Sequence, residues 1–275
     1  MMRRLTLVAL LLAACQAPEK PIRSLLLSGG SYVRIENRQA AGEVRDSTSL
    51  GFFSDDLFSV EIRAAGDSLP SSVSEVLPTL FMIGDEQGGA EVGIFRAPLQ
   101  DDRILVTMGN QFVLSLEGES SLEVPGCDWN DPGVFTLIVL TYDGVTVKVF
   151  GNGTLLASSD INFDIDVAGT DALIGANWGG APNDVTNLSN FWYGAIDEVR
   201  LWRKVIPTSE MQFRYENPGK LTRRYSATGL DPLMGLWRFN ALASAGETET
   251  DHSDNGNDGV LTAGSGTIAF STAGP

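Results

Sequence analysis

The chain has 275 residues, 43% of them hydrophobic, with 19 basic against 35 acidic residues and a formal net charge of −16. That apolar content suits one large folded domain or two small ones and excludes disorder as the default reading. The acid excess speaks against nucleic acid as a partner and against docking of the folded part on anionic lipid, since both select basic surfaces.

In chain order, the first segment is MMRRLTLVALLLAACQAP. Arg3 and Arg4 followed by a short apolar run have the layout of an export signal, and the run is too short to span a bilayer comfortably. Leu12-Ala13-Ala14-Cys15 resembles a bacterial lipobox. That resemblance implies cleavage of residues 1–14, acylation of Cys15, and a tether over residues 15–23 stiffened by Pro18 and Pro21. Gln16 rather than Asp after the Cys resembles outer-membrane sorting in Gram-negative bacteria, so the expected location is the outer membrane or cell surface. More than one acyl chain makes such anchoring stable. Without Arg3 and Arg4 the 19 basic residues become 17 against 35 acidic, a net charge of −18. Cys127 is then the remaining thiol, so an intramolecular disulfide is excluded. It reads as a small buried or idle residue, because a nucleophile wants a His partner and the one His is His252.

From Ser24 onward, short apolar runs alternate with turn residues. SLLLSGGSYVRIEN predicts strand, Ser-Gly-Gly turn, strand, with apolar Tyr32, Val33 and Ile35 around a polar Arg34. DDLFSVEIRAAGD alternates at period two, placing Phe58, Val60 and Ile62 on one face and Ser59, Glu61 and Arg63 on the other, the pattern of a half-buried strand. Hairpins are expected around residues 84–89 and around Gly109-Asn110. Asp143-Gly144 and Asn152-Gly153 should join three further strands, with the apolar run 135–140 as a central strand. PTSEMQFRYEN, with Pro207 near its start and Glu210 in the first turn, predicts a short helix. Regular spacing of strands over about 250 residues favours one all-β sandwich over two domains.

Three stretches carry a likeness to a known family. They are FWYGAIDEVRLWRKVIPTSEM (191–211), TLIVLTYDGVTVKVFGNGTLLAS (136–158) followed by ALIGANW, and LMGLWRFNA with the turn DHSDNGNDGVL. Together they resemble the laminin-G-like, concanavalin A-like lectin/glucanase jelly rolls. The resemblance implies an all-β fold, an antiparallel two-sheet jelly-roll sandwich over residues 24–261 with one short helix, and a tail of 262–275 that is either a last edge segment or disordered. Two departures stand out. Pro207 occupies the usual helix-capping Ser position, leaving Thr208 as the candidate cap. The Trp-Arg-Phe element sits at the C-terminus, so either the order is permuted or this strand closes the sheet beside YVRI; closure is the preferred expectation. Ile196 and Val199 have opposite parity, which a bulge near Asp197-Glu198 would reconcile.

Chemistry-bearing residues fall mostly in the loops. The paired carboxylates of a glycan-cleaving member of the fold would need Glu-x-Asp spacing on one strand. Adjacent Asp197 and Glu198 do not provide it, and Asp164 and Asp166 follow a turn-like stretch, so binding is expected rather than catalysis. The segment ANWGGAPNDVTNLSN (176–190) offers Trp178 as a stacking platform with Asn183 and Asp184 for sugar hydroxyls. GCDWNDPG (126–133) offers Trp129. The turn from Asp251 to Leu261 can be read as a tight turn, a cation loop, or the join to a second domain. It fails the EF-hand pattern, yet Asp251, Asn255, Asn257 and Asp258 are candidate ligands for a hard cation such as calcium. The expected partner is a glycan or glycoprotein. A structural or assembly role with a protein partner, and a diverged hydrolase or lyase, remain as alternatives.

Overall fold

The computed structural model describes residues 24–38, 49–55, 57–70, 77–84, 92–109, 111–161, 165, 167, 169–218, 232–240, 245–253 and 255–271. Cys15 and the expected signal and tether lie outside them, as do Asp164 and Asp166.

The chain opens with β1 (Ser24–Ser28) and β2 (Tyr32–Ile35). Gly29 and Gly30 between them have φ of 53° and 85°, and a Cβ on Gly29 would stand 2.3 Å from the Tyr193 ring, so glycine is needed there for conformation and space alike. β3 (Phe58–Gly66) is followed by a meander of β4 (Thr79–Ile83), β5 (Val92–Arg96), β6 (Arg103–Met108) and β7 (Gln111–Phe112), with β8 (Ser121–Glu123) returning against β6. β9 (Thr136–Tyr142), β10 (Thr146–Gly151) and β11 (Thr154–Asp160) are the three hairpin-linked strands that the Asp-Gly and Asn-Gly signals predict. Asn152 and Gly153 both take positive φ, 47° and 82°, as the favoured two-residue hairpin turn requires. β12 (Ala172–Ile174), the short pair β13 (Asn177–Trp178) and β14 (Leu188–Ser189), and the long β15 (Tyr193–Trp202) come next. A 3₁₀ turn, Thr208–Glu210, then leads into α1 (Met211–Glu216), and the last strands are β16 (Leu233–Trp237), β17 (Thr248–Glu249), β18 (Gly259–Thr262) and β19 (Ile268–Ser271).

These strands form two antiparallel sheets packed face to face. One runs in the order β11, β10, β9, β3, β15, β1, β19; the other runs β17, β18, β2, β12, β4, β5, β6, β7. The core between them takes Leu25, Val60, Ile62, Ile138 and Leu140 from the first sheet and Val33, Ile35, Phe81, Ile94 and Val106 from the second. β1 and β2 lie in different sheets, so the Ser-Gly-Gly turn is a corner of the sandwich rather than a hairpin.

β15 organises the first sheet. One of its edges is shared, with β1 against residues 193–196 and β16 against the C-terminal half from Val199 to Trp202. Between these partners the register against β3 slips, with Ile196 opposite Ala64 and Glu198 opposite Arg63. Asp197 is therefore the extra residue of a bulge, and Ile196 and Val199 both reach the inter-sheet core despite their parity.

Three expectations are corrected. β3 is buried on both faces, not half-buried, with Glu61 2% and Arg63 6% exposed; the outer face of its sheet is roofed by the chain around α1, and a second apolar cluster of Leu137, Val139, Phe150, Trp202 and Met211 fills the space beneath. β16, the Trp-Arg-Phe element, does not close beside YVRI. It extends the first sheet along β15, and β18, on the far side of the Asp-rich turn, is the neighbour of β2. Thr208 makes no cap: it lies in the 3₁₀ turn, where no side-chain cap bond forms, and Glu210 precedes α1 without one.

Candidate functional site

The outer face of the second sheet carries an open groove at β2 and β18. β2 alternates Val33 and Ile35 inward with Tyr32, Arg34 and Glu36 outward, and β18 beside it turns Leu261 inward and Val260 and Thr262 outward. With Val185 from the 176–190 loop as a further wall, these six residues line a groove of about 390 Å³. Val185 and Val260, at 41% and 44% exposure, are among the exposed large apolar side chains of the described residues. The groove is thus a mixed surface of two apolar walls, a phenol, a hydroxyl, a guanidinium and a carboxylate.

The guanidinium is fixed from below. Arg34 Nε and Nη2 both donate to Asp171 Oδ2, at 2.6 and 2.5 Å. The Asp171 side chain is 4% exposed, and its Oδ1 accepts the Asn37 backbone N–H at 2.8 Å. Asn183 ties the loop to the same point: its Oδ1 accepts the Asp171 N–H at 2.9 Å and its Nδ2 donates to the Gly169 carbonyl at 2.7 Å. Asn183 also holds a left-handed φ of 63°, a conformation Asn tolerates better than most residues. It therefore positions Arg34 through Asp171, with both amide atoms engaged. Asp184, next along, is half-buried and folds back to accept the Thr186 hydroxyl and N–H at 2.6 and 3.0 Å, which holds its carboxyl below the usual range.

The two tryptophans expected as stacking platforms are both fully buried. Trp178 packs with Tyr32, Met82, Leu173 and Ala176 on the outer face of the second sheet, and Leu188 and Phe191 pack against this cluster. It anchors the loop that walls the groove. Trp129 meets Trp192 edge to face at 5.4 Å, and its Nε1 donates to the Arg103 carbonyl at 3.0 Å. Neither indole offers a face to a sugar, because each fills a hollow at its sheet instead. The 126–133 loop is held by Arg96, 3% exposed, which donates to the Trp129 carbonyl and to Asn130 Oδ1 at 3.2 and 2.9 Å. Beside it, burial pushes the Cys127 thiol up to about 12.

The Asp-rich turn is organised by hydrogen bonds. Asp251, 5% exposed, accepts the Leu236 and Ser253 N–H groups on Oδ1 and the Ser253 hydroxyl and Asn257 N–H on Oδ2, at 2.8–3.0 Å. Asp258 Oδ1 accepts the Asp251 N–H at 2.8 Å. Asn255 and Asn257 donate their amide nitrogens to the carbonyls of Leu233 and Met234. Both Asp251 oxygens and Asp258 Oδ1 thus accept N–H and O–H donors, and the four residues lock the turn through these bonds. No group of three or more His, Cys, Asp or Glu stands together as metal ligands among the described residues.

Asp197 and Glu198 lie far from the groove, on the outer face of the first sheet. Burial, reinforced by Glu198 and opposed by Arg63, Arg200 and Arg238, pushes the Asp197 carboxyl up to about 7. Glu198 accepts Arg200 Nε at 2.5 Å. Arg200 also reaches Glu61, whose other oxygen accepts Trp202 Nε1 at 2.5 Å and Arg214 Nη1 at 2.6 Å. The hollow among these groups holds about 10 Å³, room for about one water and no substrate.

Sequence reasoning missed Tyr32, Arg34, Glu36, Val260 and Thr262. The period-two pattern of YVRIE, with polar residues between Val33 and Ile35, was the available signal. Nothing local revealed that the outer face would stay open at β2 and β18 while β12, β4 and β5 beside them are covered.

A family model described as the concanavalin A-like lectin/glucanases superfamily matches residues 70–212. Among solved structures, a provisionally named carbohydrate binding protein from Bacteroides ovatus is 15% identical with a TM-score of 0.59, covering 94% of this chain and 62% of that one. A heptameric SAP-like pentraxin from Limulus polyphemus is 9% identical with a TM-score of 0.49, over 72% of this chain and 84% of that one. The CBM40 of a Ruminococcus gnavus IT-sialidase is 13% identical with a TM-score of 0.46, over 70% and 98%. No curated protein sequence matches. At these identities the Bacteroides ovatus likeness shows a common fold, and this chain spans 62% of that protein's length.

Proposed function

Because the chain belongs to the concanavalin A-like lectin/glucanase superfamily, we propose that it is a carbohydrate-binding module whose ligand lies in the groove beside Tyr32, Arg34 and Glu36, and that it binds glycan without cleaving it. The observation that carries this reading is the groove itself. Its volume falls in the range of small-molecule sites. Its lining pairs apolar walls, suited to the C–H faces of a sugar ring, with a fixed donor and acceptors suited to hydroxyls. The words carbohydrate binding in the description of the Bacteroides ovatus structure agree with it. An export signal and acylated Cys15 would hold the module on a Gram-negative outer membrane or cell surface.

A glycan array followed by titration calorimetry tests the reading. Arg34→Ala is expected to weaken the best ligand by about tenfold or more, the scale of one lost charge-assisted hydrogen bond, and EDTA is expected to leave affinity unchanged. Array silence with and without calcium would overturn the glycan reading. Phase partition in detergent checks the anchor: Cys15→Ser should move the protein to the aqueous phase.

A second reading, assembly with a protein partner, is favoured by Phe112, Leu114 and Leu116, exposed at 48%, 44% and 66% along the β7 edge. A stable co-purifying protein lost on Leu116→Lys would favour it.

A further inference from the structure

The groove's charges are unevenly matched. Arg34 is committed twice to Asp171, and it cannot leave for a ligand without orphaning a carboxylate that is 4% exposed. Its positive charge therefore reaches the groove already compensated. Glu36 is exposed on the same wall and has no hydrogen bond or ion pair among the described residues. Asp184, half-buried and held ionised by Thr186, precedes the groove-lining Val185. Asp171 offsets Arg34 from below and Arg38, just past β2, turns to the Asn255 carbonyl and Asn257 Oδ1, which leaves Glu36 on the wall and Asp184 beside it on a chain whose net charge is −16. An incoming carboxylate or sulfate would meet a repulsive field and a guanidinium whose charge is already compensated.

Resting on the reading of this groove as a glycan site, we propose that it selects uncharged glycans and rejects acidic ones, with Glu36 setting the selection from the groove wall and Asp184 from the loop beside it. The hydrogen-bonding capacity that remains suits hydroxyls. Glu36 accepts from them, Thr262 and the Tyr32 phenol can donate or accept, and the unspent Nη1 of Arg34 donates. Val185 and Val260 are apolar and exert no charge preference.

The test uses the full chain and matched oligosaccharide pairs differing only in charge: methyl-esterified against free-acid galacturonan hexamers, and desulfated against sulfated galactan hexamers. Affinities are measured by titration calorimetry at low and high salt. The uncharged member of a binding pair is expected to bind about tenfold tighter at low salt, with the gap closing as salt screens the groove. Glu36→Gln is expected to narrow the gap by about five- to tenfold, the scale of one charge contact near a surface. Asp184→Asn should narrow it by a smaller factor. Tighter binding of the acidic member, or a gap unmoved by salt and by both variants, would overturn the proposal. Failure of every oligosaccharide, charged or not, would instead strike the glycan reading on which it stands.

Discussion

Arg34 and Asp197 are both set by what surrounds a charge. Arg34 is aimed by a buried acid and works at a surface, whereas Asp197 is enclosed and resists ionising. An unfolded aspartate titrates near 3.8, whereas Asp197 titrates near 7 in the fold. Between those values the folded protein holds a proton that the unfolded chain releases, so stability falls as pH rises through that window, and the loss is complete above it. The shift corresponds to roughly 4 kcal/mol. The melting temperature is therefore expected to drop between pH 5 and pH 8, and Asp197→Asn to flatten most of that drop. An unchanged slope in the variant would show that some other group causes it. The bulge at Asp197 was legible in the sequence, because two apolar residues of opposite parity had to reach one core. The burial of Trp129 and Trp178 was not, since a loop indole reads alike whether it covers a hollow or faces solvent.

At the level of elements, α1 is six residues long and uncapped, too short to stand by its own hydrogen bonds. It is held on the first sheet by Arg214, fully buried, which bridges Glu61 and Glu210 and lies 5.1 Å from the Trp202 ring centre. Arg63 donates to the Tyr215 carbonyl at the helix end. Removing Glu61 would leave Arg200, Arg214 and the Trp202 N–H without their shared acceptor. Glu61→Ala is expected to destabilise the protein by about 3–5 kcal/mol in urea titration; a loss under about 1 kcal/mol would mean that the network relaxes onto water. The sequence showed the alternation of β3 correctly but not its second burial, because the lid comes from residues about 150 positions later. The Asp251 turn makes a parallel case. Asp251→Ala should cost about 2–4 kcal/mol by orphaning the N–H groups of Leu236 and Asn257. A turn lock predicts the same loss with calcium or EDTA; a loss confined to calcium-loaded protein would assign these residues to a cation.

Across the whole molecule, the two sheets have divided their labour. The all-β character and the β9–β10–β11 hairpins could be read from turn chemistry and period-two patterning, which are local. Where each outer face would be covered could not, because that depends on where α1 and the 176–190 loop dock after the chain has crossed the sandwich several times. The closing strands were misplaced in the sequence reading for the same reason: β16 and β18 are both short and apolar, and only packing decides which joins β15 and which joins β2. The groove exists because β2 and β18 keep their outer face, while the loop anchored by Trp178 covers β12 and β4 beside them.

The corner at Gly29 and Gly30 gives this arrangement a mechanical meaning. A ligand gripped at Tyr32 and Arg34 and a pull applied ahead of Ser24 act on the two ends of one continuous segment, β1, the corner and β2. β1 is laddered on both sides, to β15 and to β19, with Leu25, Leu26 and Leu27 paired in both directions. Tension along it must therefore shear two sets of hydrogen bonds together instead of peeling one set bond by bond. The path from Ser24 to the groove is about ten residues long, and the load it carries is handed to β15 and β19 on one side of the corner and to β12 and β18 on the other.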